Sequence, residues 1–383
     1  MEEAYSNFGK SLKEEESCYD RMKELKAFDD TKAGVKGLAD SGLLKLPRIF
    51  VLPPEKLVEE EKLIVLDNST CCGHGDHETV PVIDLQGMEN QRTEIVDEVR
   101  RASETMGFFQ LLNHGIPKNV MEKAMKGLAG FHEQDSELKK KFYTRELSKR
   151  VKFYSNVDFY QSDSARWQDT LNCAMLSPDP VDPRELPDVC RDILVEYTEY
   201  ITKLGDTLAE LLSDALGLKP DHLKVMDCTK FLSILSQYYP ACPEPKLTLG
   251  ASKHTDPTFF TVLLKGQVDG LQVFYKNQWI AVKPLPGALL VNVGDLLQLI
   301  SNDKFKSVPH RVVSSGVGPR ISVASFFATS FIKSTKLYGP IKELISDENG
   351  KVYKDILLAD YMEHYYANGR EHKGAHALAA FKM

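Results

Sequence analysis

His254-Thr255-Asp256 sets an imidazole and a carboxylate two residues apart. Side chains two apart on a strand leave the same face, so the pair could meet one ion. A third ligand must then come from a distant strand. His310, on a strand predicted over 307–314, qualifies. Two histidines and a carboxylate make a facial triad with positions open for substrate and dioxygen. For the spacing alone, a hydrogen-bonded or exposed histidine is the favoured reading.

A second constellation follows. Arg320 and Ser322 open the next predicted strand and share a face by the same period. A guanidinium beside a hydroxyl can clamp a carboxylate through charge-assisted hydrogen bonds. Tyr239, just before the turn Pro240-Ala241-Cys242-Pro243, offers a phenol to the same anion, and Gln237 lies on its face. The run Val323-Ala324-Ser325-Phe326-Phe327 reads as buried, and a buried arginine needs an anionic partner.

These residues must be held by strands. Between Phe231 and Thr329, about eight short runs of strand-forming residues are separated by turns, with no long helix between them. They are 231–239, 248–254, 259–264, 270–275, 279–283, 288–293, 307–314 and 320–328, which suggests a sandwich or jelly roll. Upstream, 80–85 and 108–112 read as strands, while 91–105, 118–143 and 186–217 carry helical stripes. Asp97 and Arg101 form an i,i+4 pair on the polar side of the first helix. Ile193, Tyr197, Ile201, Leu204, Leu208 and Leu212 make a stripe read as packing. The tail 353–368 returns to helix. Residues 1–78 are charge-rich with a more ordered piece at 19–51, where Ile49 to Leu52 reads as an edge strand or a packed extended segment. The cluster Cys71-Cys72-Gly73-His74-Gly75-Asp76-His77 lacks zinc-finger spacing and reads as a glycine-rich linker.

The HxD, distal His and RxS set resembles the plant iron(II)/2-oxoglutarate-dependent dioxygenases. Gly107-Phe108-Phe109-Gln110-Leu111-Leu112-Asn113-His114-Gly115-Ile116-Pro117, Tyr238-Tyr239-Pro240-Ala241-Cys242-Pro243 and Gly294-Asp295 are similar to further motifs of that family. The stretch Glu24 to Leu38 is similar to one branch, which holds deacetoxyvindoline 4-hydroxylase, steroidal-alkaloid hydroxylases, benzoxazinoid dioxygenases and the 1-aminocyclopropane-1-carboxylate oxidase homologues. Many relatives carry Asn where this chain has Gln237.

The resemblance implies an α+β chain with a double-stranded β-helix (jelly-roll) core, flanking helices and a helical N-terminal region. It implies an extension over 1–78, an N-terminal dioxygenase domain over 79–225, a catalytic domain over 226–332 and a helical segment over 333–383. It implies Fe(II) on His254, Asp256 and His310, and 2-oxoglutarate on Arg320, Ser322, Tyr239 and Gln237. Dioxygen is the second co-substrate and ascorbate the reductant. His114 is structural in that family.

For the substrate pocket, parity adds Leu235, Phe326 and Ala328, and Pro257 follows Asp256. The loop 154–171 resembles the family's substrate-facing region, giving Phe159, Trp167 and Asp169. Packing is the competing reading there, and Asp169 could pair with a basic amine. These residues suit a hydrophobic, ring-bearing alkaloid or steroidal alkaloid. The same site could perform demethylation, desaturation or ring closure. A jelly roll that only binds a ligand and a zinc hydrolase are the rivals.

Composition is consistent with this. The 383 residues are 42% hydrophobic and 27% charged, as expected for a globular chain. A formal charge of −7 disfavours nucleic acid as partner. No apolar run reaches the ~20 residues of a membrane span. No basic and apolar leader opens the sequence, and seven scattered cysteines fit a reducing compartment. A cytoplasmic monomer acting on a small molecule is the expectation.

Overall fold

Alternation between inward and outward side chains sorts the second half of the chain into two sheets, and helices cover the larger one. A computed structural model describes residues 19–58, 78–146, 148–177, 180–329, 334–367 and 377–383. The cysteine–histidine cluster at 71–77 lies outside them. The chain begins with α1 (Arg21–Thr31) and α2 (Gly34–Asp40). It continues through β1 (Val82–Asp84), α3 (Arg92–Thr105), β2 (Phe108–Leu112), α4 (Lys118–Glu133), α5 (Ser136–Lys140), β3 (Val151–Tyr154) and β4 (Asp169–Leu176). The long α6 (Arg191–Ala215) and short α7 (His222–Val225) lead into β5 (Phe231–Tyr239), β6 (Leu249–His254), β7 (Phe260–Lys265), β8 (Leu271–Tyr275), β9 (Gln278–Ala281) and β10 (Leu289–Val293). After α8 (Asp295–Ile300) come β11 (His310–Val313), β12 (Arg320–Ala328) and, near the end, α9 (Leu358–Ala367).

The strands β5, β7, β10 and β12 join one sheet, while β6, β8, β9 and β11 form the other. This is the α+β jelly roll expected from the eight runs. The larger sheet is extended by β2 and β1 on one edge and by β4 and β3 on the other, in the order β1-β2-β10-β7-β12-β5-β4-β3. Sequence reading missed β3, β4 and α8. Every side chain of β4 is buried or half-buried, which hides the alternation that marks a strand with one wet face.

Even-numbered side chains of β7, such as Val262 and Leu264, join the core under α3, α4 and α6 with Val99, Leu128, Tyr197 and Leu208. Each such fully buried side chain contributes roughly 1.5–3 kcal/mol. Odd-numbered Leu263 instead packs between the sheets with Phe108, Leu271, Val273, Leu290 and Ala324. On the polar side of α3, Asp97 pairs with Arg100, not Arg101, so the contact is i,i+3.

The N-terminal segment packs as a third cluster. Leu25, Phe28, Val35, Ile49 and Phe50 bury Phe159, Ala165 and Trp167. Arg48–Phe50 is a single 3₁₀ turn, and Leu52 N–H donates to the Leu247 carbonyl at 2.9 Å. The segment is therefore packed and is not an edge strand. Asp169 fastens it. Its carboxylate accepts from the Val35 and Lys36 amides, both at 2.8 Å, and from Ser155. Gly34 makes this possible, because its φ is +73 and a Cβ there would sit 2.6 Å from the Asp169 oxygens.

Candidate active site

His254 ends β6 and His310 begins β11, and the two are register partners across the small sheet. Their ring centroids lie 4.3 Å apart. Asp256 is not on the strand with His254, as the period-two reading assumed; it lies in the turn before β7. The turn nevertheless brings its Oδ1 3.9 Å from His254 Nε2 and 3.7 Å from His310 Nε2. The three donor atoms lie within 4.8 Å of one another.

The surroundings aim these atoms. His254 Nδ1 meets the Ser252 carbonyl at 2.7 Å, and His310 Nδ1 meets the Val308 carbonyl at 3.3 Å. A carbonyl only accepts, so each Nδ1 carries the proton and each Nε2 turns its lone pair inward. The other oxygen of Asp256 accepts from Thr261 Oγ1 at 2.7 Å and Asn292 Nδ2 at 2.8 Å.

Behind the motif, Asp295 N–H donates to the Asp256 carbonyl at 2.8 Å, and Thr255 Oγ1 donates to the Asp295 carboxylate at 2.9 Å. From α9, Tyr361 donates to that carboxylate and Tyr365 to the Thr255 carbonyl, the latter at 2.7 Å. Gly294 lets this corner close, since a Cβ there would collide with the Thr258 carbonyl oxygen. Sequence reading missed Thr261, Asn292, Tyr361 and Tyr365. Only Gly294-Asp295 carried a signal.

The second constellation lies in the same cavity. In the β5–β12 register Arg320 faces Tyr239 and Ser322 faces Gln237. Arg320 is 4% exposed, and its guanidinium sits 4.8 Å from the Tyr239 ring centroid. Nη1 donates to Ser322 Oγ at 3.3 Å, and Ser322 donates to Gln237 Oε1 at 3.4 Å. The buried Nε of Arg320 finds no acceptor among the described residues. Burial pushes this guanidinium below its ordinary range, against the pull of Tyr239. An anion from outside the chain would complete it.

The cavity between triad and arginine is walled by Phe108, Leu263, Leu271, Leu290, Ala324 and Phe326. Phe326 is where parity put it. Phe108, read from sequence as a strand and motif residue and not as a pocket wall, meets the His310 ring edge-on at 5.3 Å. The other pocket candidates fall outside. Leu235 and Ala328 are buried but line no part of it, and Pro257 does not reach it. Parity selects a face of a strand, not where along the strand the cavity ends.

Phe159 and Trp167 are core residues of the N-terminal cluster, where Trp167 Nε1 donates to the Pro240 carbonyl at 3.1 Å. Asp169 is fully buried against α2, so it cannot meet a substrate amine. Its burial pushes the carboxyl up, against the hydrogen bonds from Ser155, Lys36 and Val35. His114 is held apart from the triad, between the Gly287 carbonyl at 3.1 Å and the Ile116 amide at 3.2 Å.

Comparison with known proteins decides the family. Residues 231–329 match the 2OG-Fe(II) oxygenase superfamily, and residues 80–189 match the non-haem dioxygenase in morphine synthesis N-terminal family. The chain is 48% identical to deacetoxyvindoline 4-hydroxylase of Catharanthus roseus over 381 residues, covering 97% of this chain and 91% of that one. This chain belongs to the 2OG-Fe(II) oxygenases. The oxygenase is also 47% identical to 1-aminocyclopropane-1-carboxylate oxidase homolog 1 of Arabidopsis thaliana, over 92% and 94% of the two chains. Among solved structures, JOX2 in complex with 2OG, Fe and JA superposes with a TM-score of 0.78 at 29% identity, over 91% of the oxygenase and 97% of JOX2. A rice dioxygenase for auxin oxidation shares the fold, with a TM-score of 0.66 at 22% identity over 79% and 100% of the chains.

The oxygenase is thus an oxidoreductase that uses Fe(II), 2-oxoglutarate and dioxygen. Its residues fit that set. Inward lone pairs and a carboxylate oxygen suit a divalent iron, and a buried guanidinium whose Nε has no acceptor among the described residues suits a carboxylate. No helix among the described residues is long and apolar enough to cross a membrane.

Proposed function

We propose that the oxygenase hydroxylates a hydrophobic, ring-bearing small molecule, with an alkaloid or steroidal alkaloid as the favoured class. The observation that carries this reading is the 48% identity to an alkaloid hydroxylase along nearly all of both chains. The apolar walls Phe108, Leu290 and Phe326 support it. His254, Asp256 and His310 would hold the iron. Arg320, Ser322, Tyr239 and Gln237 would hold the far carboxylate of 2-oxoglutarate.

The bound iron, with 2-oxoglutarate and dioxygen, supplies the oxidation of a substrate C–H to C–OH, releasing succinate and carbon dioxide. The protein's part is geometry. Ser252 and Val308 fix the histidine rings, Thr261 and Asn292 fix the carboxylate, and Arg320 orients the co-substrate by its charge. Phe108 against His310 gives the cavity an apolar, water-excluding wall on that side. A small-molecule substrate as the one partner and a monomeric state complete the reading. The two family matches support a division into an N-terminal part and a β-helix part near residue 226.

The test incubates the protein with Fe(II), ascorbate, 2-oxoglutarate and a panel of alkaloids and plant extract. Expected are a product gaining one oxygen and an equal yield of succinate, both lost in His254→Ala and Asp256→Ala. Formaldehyde in place of an oxygenated product would make the enzyme a demethylase. Activity that persists without dioxygen would end the oxygenase mechanism altogether.

A further inference from the structure

Lys265 ends β7 on the inward face. Its predecessors at the strand period, Thr261 and Leu263, both line the cavity. In the β7–β12 register Lys265 stands directly opposite Ser322. Directly opposed residues of an antiparallel pair bring their side chains together on one face. Lys265 is therefore the cross-strand neighbour of the hydroxyl that Arg320 contacts. It is half-buried, and its Nζ donates to the Val282 carbonyl. An ammonium has three hydrogens, so that bond leaves donors for another acceptor. Burial and the nearby Arg320 cation push this ammonium down to about 8, while Asp269 pulls the other way. Asp269 itself is exposed and pulls on Arg320 too. Two cations thus lie near one another where β7 meets β12, and Asp269, the carboxylate that pulls on both, is exposed.

A like charge nearby disfavours the ammonium form, and an anion set beside both groups would favour it again. We propose that Lys265 is a second cation for the far carboxylate of 2-oxoglutarate, acting beside Arg320 and Ser322. This rests on the co-substrate assignment above and adds a binding residue to it. Arg320 orients the carboxylate through its planar fork, and Lys265 adds a point charge from the neighbouring strand.

The experiment titrates the anaerobic Fe(II) protein with 2-oxoglutarate and, separately, with pyruvate, which has the same oxo-acid end but no far carboxylate. Wild type, Lys265→Met, Lys265→Gln and Arg320→Met are compared by calorimetry, with thermal melts to confirm folding. Expected is a loss of about tenfold in 2-oxoglutarate affinity for both Lys265 variants, with pyruvate affinity unchanged. An unchanged 2-oxoglutarate affinity, or an equal loss for both acids, overturns the role of Lys265. If Arg320→Met binds 2-oxoglutarate as wild type does, the co-substrate assignment itself fails, which is a separate result.

Discussion

The carboxylate of Asp256 has two oxygens with different tasks. One faces the histidines, and the other is held by Thr261 and Asn292. Those two residues are themselves register partners between β7 and β10, so neighbouring strands deliver both bonds together. Asn292→Ala removes one of them while leaving every ligand in place. Partners of this kind are worth about 10–100-fold in metal affinity, so the variant should bind Co(II) or Fe(II) at least tenfold more weakly in a competition titration, with its fold intact by circular dichroism. Unchanged metal affinity would mean that Thr261 alone orients the carboxylate. The spacing of His254 and Asp256 alone was weak; the ligands were legible because the HxD pair came together with a distal histidine and the Arg320–Ser322 pair. Thr261 and Asn292 were not, because on a strand they look like any polar residue until the register is known.

Elements differ in how openly they announce themselves. The eight strands from β5 to β12 are short apolar runs broken by turn residues, and their bounds were readable to within three residues. The first three residues of β4 were read as the end of a substrate loop by resemblance, and the strand itself went unread because every side chain of it is buried or half-buried. The helix α9 was readable as a helix from its pattern, but not as a part of the site. Tyr361 and Tyr365 reach from it to Asp295 and to the backbone between the two ligands of the HxD motif. Tyr365→Phe leaves the Thr255 carbonyl short of a donor and loosens that turn. A loss of roughly 1–3 kcal/mol is expected from such a buried, unsatisfied group. It should be read as weaker metal binding as well as a lower melting temperature. A lower melting temperature with metal affinity untouched would make α9 only a packing helix.

At the scale of the molecule, the N-terminal segment is part of the folded body. Phe28, Phe50, Phe159 and Trp167 form one aromatic cluster, and Asp169 ties it to α2 across 134 residues of sequence. The likeness of the loop 154–171 to a substrate-facing region suggested a substrate contact for Asp169. Its true partner, the backbone of a distant helix, is invisible before the chain is folded. Asp169→Ala strands the Val35 and Lys36 amides, at a cost of roughly 1–3 kcal/mol for each unpaired group. Limited proteolysis should then cut within residues 19–51 faster than in wild type, and the thermal midpoint should fall. Equal resistance to protease would show that the aromatic cluster holds the segment unaided.

The bond from Tyr365 to the Thr255 carbonyl also sets an order in time. It spans 110 residues, so the ribosome releases the metal motif well before the helix that clasps it. At about 5–20 residues per second, that interval lasts roughly 5–20 s. During it the HxD turn and its open carboxylate await their brace. Iron loaded after synthesis meets a finished socket, whereas metal captured by the nascent chain meets a loose one.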